Sequence, residues 1–317
     1  MHVGFIGLGT MGASMAANLQ QAGHTLTVHD VRREAAAPHL EAGATWADSP
    51  RAVAAGADVV FTSLPGPPEV EAVALGPEGI LAGIRPGAAY FDLSTNSRAV
   101  VLKVHAAFAE KGAHMFDAPV SGGPRGAKTG KLAIWVGGNK AVFERHEAVL
   151  LDIGDQPRYV GEIGQATVAK LVHNCSGYAI QTVLAETFAM GVKAGVDPLV
   201  LFSAVRQGAQ GRRRTFDGLL DQFLPDTYDP PAFALRLAHK DVSLAVALGR
   251  EVGAPMRLCN LTLEEMTEAR NRGWDALDSR IVMKLEQERA GVAIKVSRER
   301  IREALANDTS QALEPGK

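Results

Sequence analysis

Apolar positions along this chain follow two rhythms, and the change falls near residue 163. Before it, short apolar runs over 2–6, 25–28, 58–64, 88–93, 114–117, 131–138 and 159–160 alternate with amphipathic stretches and read as strands between helices. Roughly seven strands arranged in this way predict an α/β unit, a doubly wound sheet ending near Glu162. The stretch 164–196 breaks the rhythm. It holds no proline, and Val168, Leu171, Val172, Cys175, Ile180, Val183, Leu184 and Phe188 recur at helical spacing. One helix is predicted over 165–195, roughly 45 Å long at ~1.5 Å per residue. Lys170 and Asn174 lie four apart and so stack on one of its faces.

Only helical patterns follow, over 198–207, 215–222, 233–252, 255–270 and 275–290, broken by a loop at 208–211 and by Asp229-Pro230-Pro231. A short charged helix over 296–305 and a polar tail over 307–317, expected to be disordered, complete the chain. The expected organisation is a first domain over 1–162, an all-helical domain over 163–292 joined to it by the long helix, and an extra helix with its tail over 293–317. The lysine sits in the joint.

Composition narrows the function. The chain has 317 residues and a net charge of −2, so it lacks the basic field that non-specific nucleic-acid binding needs. Its first residues carry no cationic leader, and no apolar run approaches the ~20 residues of a membrane span. Cys175 and Cys259 are the only cysteines, distant in sequence and outside any CxxC pair, so neither a disulfide framework nor a thiolate metal site is expected. A reducing cytoplasm fits. The nine histidines show no HExxH or clustered spacing, and no metal is expected.

Candidate chemistry begins at Gly7-Leu8-Gly9-Thr10-Met11-Gly12, between a predicted strand and a predicted helix. That order suits a dinucleotide pyrophosphate: Gly7 permits the turn, Gly9 lets backbone approach phosphate, and Gly12 lets the helix lie close on the strand. Asp30 closes the second strand and is expected to accept from a ribose hydroxyl, which favours NAD. Arg32 and Arg33 follow at once, and an arginine there could clamp the 2′-phosphate of NADP, so both cofactors stay open. Leu64, Pro65 and Thr95 lie at or just past the ends of two further strands and are expected to flank the cofactor; Pro65-Gly66-Pro67-Pro68 reads as a turn. Past the 114–117 strand, Ser121-Gly122-Gly123 offers a hydroxyl and unshielded N–H groups, a concavity suited to a carboxylate. The Arg212 to Arg214 cluster either binds a second acidic group or is solvated, and the solvated reading is favoured.

These residues resemble those of the β-hydroxyacid dehydrogenases, the family that includes 3-hydroxyisobutyrate dehydrogenase and tartronate semialdehyde reductase. The matches are GFIGLGTMGASMAANL at 4–19, DLST at 92–95, DAPVSGG at 117–123, GQATVAKLVHN at 164–174 and HKDVSLA at 239–245. They run in family order to about residue 290. The resemblance implies a Rossmann domain joined by the long helix to an all-α domain that assembles homodimers or homotetramers. It also implies Lys170 as the catalytic residue, Asn174, Ser121, Gly122 and Gly123 on a small carboxylate substrate, and Lys240 reaching substrate and cofactor from the second domain. The sequence departs from the family pattern at GKL over 130–132, at Asn96-Ser97-Arg98 and in the basic cluster at 212–214.

Alcohol oxidation needs a hydride acceptor, a proton acceptor and a grip on the rest of the substrate. NAD supplies the first, Lys170 the second, and the serine-glycine turn the third. In the reverse direction a lysine ammonium stabilises the alkoxide and donates the proton. The expected activity is interconversion of a small 3-hydroxy acid and its semialdehyde. Two alternatives on the same scaffold are an imine reductase, which usually lacks this lysine, and a catalytically silent dinucleotide-binding relative, which loses it.

Overall fold

Phe5, Phe61, Phe91 and Phe116 stand in register on neighbouring strands, and their rings cross one face of a sheet with successive centroids 6.2, 5.6 and 4.4 Å apart. The adjacent residues Ile6, Val60, Tyr90 and Met115 belong to a second core on the opposite face. Strands buried on both faces must be covered by helices on both. The computed structural model describes residues 1–193, 195–208, 214–251 and 256–306. It forms two compact units, Met1–His173 and the chain from Asn174 onward.

In the first unit the elements run β1 (His2–Ile6), α1 (Thr10–Gln21), β2 (Thr25–His29), α2 (Ala37–Glu41), β3 (Thr45–Trp46), α3 (Pro50–Gly56), β4 (Val59–Thr62), α4 (Pro67–Leu75), α5 (Ile80–Gly83) and β5 (Ala89–Asp92). They continue with α6 (Arg98–Glu110), β6 (His114–Asp117), β7 (Val120–Ser121), α7 (Gly123–Thr129), β8 (Ala133–Gly137), α8 (Lys140–Leu151) and β9 (Gln156–Gly161). The sheet has nine strands in the order β3-β2-β1-β4-β5-β6-β8-β7, with β9 on β8. From β3 to β6 it is parallel; β8 runs antiparallel to β6 and β7. Periodicity predicts about seven strands because β3 and β7 are two residues long and leave no periodic signal.

Two local expectations are corrected. Pro67 and Pro68, read as part of a turn, open α4, where a missing N–H costs nothing because the first turn has no partner for it. The stretch after Gly122, where no helix is predicted between the 114–117 and 131–138 strands, forms α7, and its glycine and proline content hid the helix. Ser49, Ser97 and Asn139 cap α3, α6 and α8 by accepting from backbone N–H groups. Ser97 is thus the helix start at one of the departures from the family pattern.

The long helix α9 (Gln165–Lys193) carries the chain into the second unit, which is helical. There α10 (Pro198–Gln207) is capped by Asp197, and α11 (Leu235–Glu251), α12 (Arg257–Asn271), α13 (Met283–Ala290) and α14 (Arg298–Ala306) follow. A 3-10 turn over Arg214–Leu219 stands where a helix over 215–222 is predicted. The helix predicted over 275–290 is shorter, because buried Asp278 turns its carboxylate onto the N–H groups of Arg280, Ala232 and Phe233 and begins a 3-10 turn, Ser279–Val282, before α13. Phe202, Phe223 and Leu224 form one core with Ile294, Val296 and Ile301, while Leu235, Val242, Met266 and Leu285 form another. The expectations for Arg212 and Arg213, for a helix start at Pro255 and for the 307–317 tail lie outside the described residues.

Within the first unit, the start of α9 is fastened to the sheet by one side chain. Asp117, at the end of β6 and 1% exposed, accepts from the N–H of Gly164 at 2.8 Å through Oδ1 and from the N–H of Thr167 at 2.6 Å through Oδ2. Burial pushes its carboxyl above the usual range, against the pull of those N–H groups. Removing the carboxylate strands two donors at a helix start, each worth ~1–3 kcal/mol when buried. Asp117→Ala is expected to lower the unfolding free energy by about 3 kcal/mol in urea titration, and a loss below about 1 kcal/mol would show that water or a neighbour replaces the acceptor.

Candidate active site

The parallel register aligns the carboxyl ends of the strands: His29 pairs with Ile6, Ile6 with Thr62, Thr62 with Asp92 and Asp92 with Asp117. In an open parallel sheet, the crevice beyond these ends is where ligands sit. Asp30 and Arg32, the Gly7 to Gly12 turn, Leu64 and Pro65, and Thr95 follow those strand ends in turn along this edge. Ser121 lies just past the last of them, in β7.

The glycine turn is shaped for a phosphate. Gly9 caps α1 without any side-chain bond, so the N–H groups of the first turn have no helical partner. A Cβ added at Gly9 would meet nothing within 4 Å, whereas one at Gly12 would come 1.9 Å from the carbonyl oxygen of Gly7. One glycine keeps the cradle open, and the other lets α1 close onto the turn. Thr10 is exposed, Met11 half-buried and Leu8 buried. These features fit a dinucleotide pyrophosphate at a helix N-terminus.

Asp30 does more than its sequence position suggests. It is 9% exposed; Oδ2 accepts from the N–H of Leu8 at 2.6 Å and Oδ1 from the N–H of Arg32 at 2.8 Å. The carboxylate therefore locks the glycine turn onto the loop after β2, and a carboxylate retains lone pairs for a further donor. The two arginines beside it diverge. Arg33 lies over the Trp46 ring at 5.2 Å and 3.7 Å from Asp48, while Arg32 is exposed.

A buried network that sequence reading missed orders the loops after β4 and β5. Asp92 accepts from Thr62 Oγ1 at 2.9 Å, the N–H of Ser94 at 3.1 Å and Asn96 Nδ2 at 2.9 Å. Ser94 Oγ in turn accepts from the N–H of Leu64 at 2.9 Å. Burial pushes the Asp92 carboxyl up, and these donors pull it back. Leu64 and Thr95 are half-buried beside this network and Pro65 is exposed. The signal that could have found Asp92 and Asp117 is an acid ending a strand just after buried apolar residues, AYFD and HMFD.

Lys170 is 8% exposed, so it is not a solvent-facing helix lysine. It stands one turn after Thr167, whose N–H Asp117 holds. His173, on the next turn of the same face, brings its Nε2 to 3.1 Å from Ser121 Oγ, and the Trp135 ring lies 5.3 Å from its imidazole. Partial burial and the Lys170 charge hold this imidazole below its ordinary pKa. A histidine that sequence reading passed over thus links the segment of α9 that carries Lys170 to Ser121. Gly122 and Gly123 follow Ser121 with φ of +139° and +61° and are exposed.

In the second unit, Asn174 and Lys240 share a partner. Asp241, 1% exposed, accepts from Asn174 Nδ2 at 2.6 Å through Oδ2 and stands 3.0 Å from Lys240 Nζ through Oδ1. A surface ion pair would leave both groups in water, and here the acid is buried. Among the described residues no group of three or more His, Cys, Asp or Glu side chains is placed to hold a metal ion.

Comparison with known proteins agrees with this geometry. A family model described as the NAD binding domain of 6-phosphogluconate dehydrogenase matches residues 2–164, and one described as NAD-binding of NADP-dependent 3-hydroxyisobutyrate dehydrogenase matches 164–285. The chain is 35% identical over 294 residues to the 2-(hydroxymethyl)glutarate dehydrogenase of Eubacterium barkeri, covering 93% of this chain and 97% of that protein. It is 36% identical over 283 residues to the 3-hydroxyisobutyrate dehydrogenase of Pseudomonas aeruginosa, covering 86% and 95%. The solved structure of the Mycobacterium tuberculosis 3-hydroxyisobutyrate dehydrogenase with L-serine superposes with a TM-score of 0.79 at 29% identity, covering 90% of this chain and 98% of that one. With its glycine turn, its buried lysine and these matches along both units, the chain belongs to the β-hydroxyacid dehydrogenase family of NAD(P)-dependent oxidoreductases.

Proposed function

We propose that this chain interconverts a small 3-hydroxy acid and its semialdehyde by hydride transfer, with Lys170 as general acid and base. The observation that carries the reading is the burial of Lys170 on the face of α9 that His173 ties to Ser121. An amine withdrawn from water beside a hydroxyl and two exposed backbone N–H groups can hold a hydroxyl oxygen at Nζ while the turn takes the carboxylate. The names of the relatives bound the substrate class. 3-Hydroxyisobutyrate, 2-(hydroxymethyl)glutarate and L-serine share a hydroxymethyl group on the carbon that bears the carboxylate, and they differ only in the third substituent of that carbon. The shared part is what Lys170 and the Ser121-Gly122-Gly123 turn are suited to grip.

Bound NAD supplies the hydride acceptor, and Gly7 to Gly12 would hold its pyrophosphate. NAD is proposed over NADP because a 2′-phosphate would face the Asp30 carboxylate, and Arg33 is engaged by Trp46 and Asp48. Leu64, Pro65 and Thr95 are proposed to flank the cofactor from the loops that Asp92 orders. Asn174 and Lys240 are proposed as substrate and cofactor contacts oriented by Asp241, as the motifs imply. A homodimer or homotetramer is also proposed, supported by the exposed apolar side chains of Ile180 and Val183 on α9 and of Leu258 and Leu261 on α12. No helix among the described residues is long and apolar enough to cross a membrane, and a cytoplasmic location is proposed.

Lys170→Ala is expected to lower kcat for oxidation of a 3-hydroxy acid by on the order of a hundredfold or more, with NAD binding by fluorescence titration retained; near-normal turnover would remove the lysine from the chemistry. Asp30→Ala is expected to raise KM for NAD more than KM for NADP. An unchanged ratio of the two would mean that Asp30 serves the glycine turn alone.

A further inference from the structure

The two cysteines meet although 84 positions separate them in sequence. Cys175 lies on α9 and Cys259 in the first turn of α12, both within the second unit, and their sulfurs are 2.7 Å apart. Both are free thiols; Cys175 is buried and Cys259 half-buried. Around them Tyr178, Cys259 and Leu263 pack on the core of Val246 and Met266, so the pair sits where packing holds two helices together. Neither thiol has a role in the hydride-transfer reading, and among the described residues neither belongs to a group that could hold a metal.

We propose that Cys175 and Cys259 form an oxidation site, a dithiol that closes to an intramolecular disulfide when the protein meets a hydroperoxide. Cys259, the more accessible sulfur, reacts first. Its thiolate attacks the peroxide oxygen, the O–O bond breaks, an S–O bond forms, and the departing oxygen leaves as water from hydrogen peroxide. Cys175 then gives up its proton and attacks the sulfenic sulfur; the S–S bond forms, the S–O bond breaks, and a second water leaves. Two thiols are oxidised by two electrons in all, and one peroxide is reduced to two waters.

The contact distance makes the second step local. A disulfide needs about 2.05 Å between sulfurs, so closure asks for a side-chain adjustment from 2.7 Å and no rearrangement of the helices. Burial, and then the neighbouring Cys259 sulfur, push the Cys175 thiol up to about 12, which keeps it protonated in the resting protein. The rate of closure should therefore climb with pH, about tenfold per unit while the thiolate is scarce. The product ties α9 to α12 one residue beyond Asn174 and constrains a long loop in the unfolded chain, which favours the folded state.

The test is intact-mass spectrometry of the full chain after treatment with hydrogen peroxide, followed by peptide mapping without reductant. The expected result is a loss of about 2 Da, no titratable thiol after denaturation, a linked Cys175–Cys259 peptide in the monomer band, and a thermal midpoint several degrees higher that dithiothreitol reverses. Cys259→Ser and Cys175→Ser should each lack both the mass loss and the thermal shift. Unchanged thiols, added oxygen at either sulfur without the two-hydrogen loss, or disulfides linking separate chains would overturn the proposal. Because every readout is a mass, a thiol count or a melting curve, the result is independent of whether Lys170 is catalytic.

Discussion

One buried carboxylate decides where the Lys170 amine stands. Asp117 ends β6 at the edge toward which the parallel strands point, and both of its oxygens are spent on backbone N–H groups at the start of α9. A helix start held at two donors has its axis and its rotation fixed, and a side chain one turn further on inherits that position. Lys170 is that side chain. The bond from His173 to Ser121 repeats the fixation one turn later, so the lysine is bracketed by two links to the strand ends that carry the Ser121-Gly122-Gly123 turn.

Asp117 is one of three strand-terminal acids that act in the same way. Asp30 fastens the glycine turn through the N–H of Leu8, and Asp92 gathers Thr62, Ser94 and Asn96 and through Ser94 holds Leu64. All three are buried, and none needs to touch a reacting atom to matter. In the second unit Asp241 does the corresponding work for Asn174 and Lys240. Buried acids taking several donors hold loops and side chains in one geometry, and a pre-set geometry is what hydride and proton transfer demand of the protein. In the proposed reaction the chemistry itself is left to Lys170 and the nicotinamide ring.

Much of this was legible in the residues. Glycines at 7, 9 and 12 are dictated by turn, approach and packing, so their spacing announces a nucleotide before any fold is known. The long helix announces itself by apolar spacing without proline, and it runs over Gln165–Lys193, close to its expected span. Elements too short for a period were illegible, as with β3 and β7, and so was α7, whose composition is that of a turn. Pairings between distant residues were illegible for a different reason. Nothing local marks His173 as the partner of Ser121, Asp241 as the partner of Asn174, or Cys175 as the neighbour of Cys259; each contact exists only once the backbone has been folded.

The most direct test of the account is a crystal structure of the protein with NAD and a bound 3-hydroxy acid. The account predicts Lys170 Nζ within hydrogen-bond reach of the substrate hydroxyl, about 3 Å, with the substrate carboxylate against Ser121 Oγ and the N–H groups of Gly122 and Gly123. A hydroxyl oxygen more than about 6 Å from that nitrogen, twice the reach of a direct proton transfer, or a carboxylate seated away from the serine-glycine turn, would contradict it.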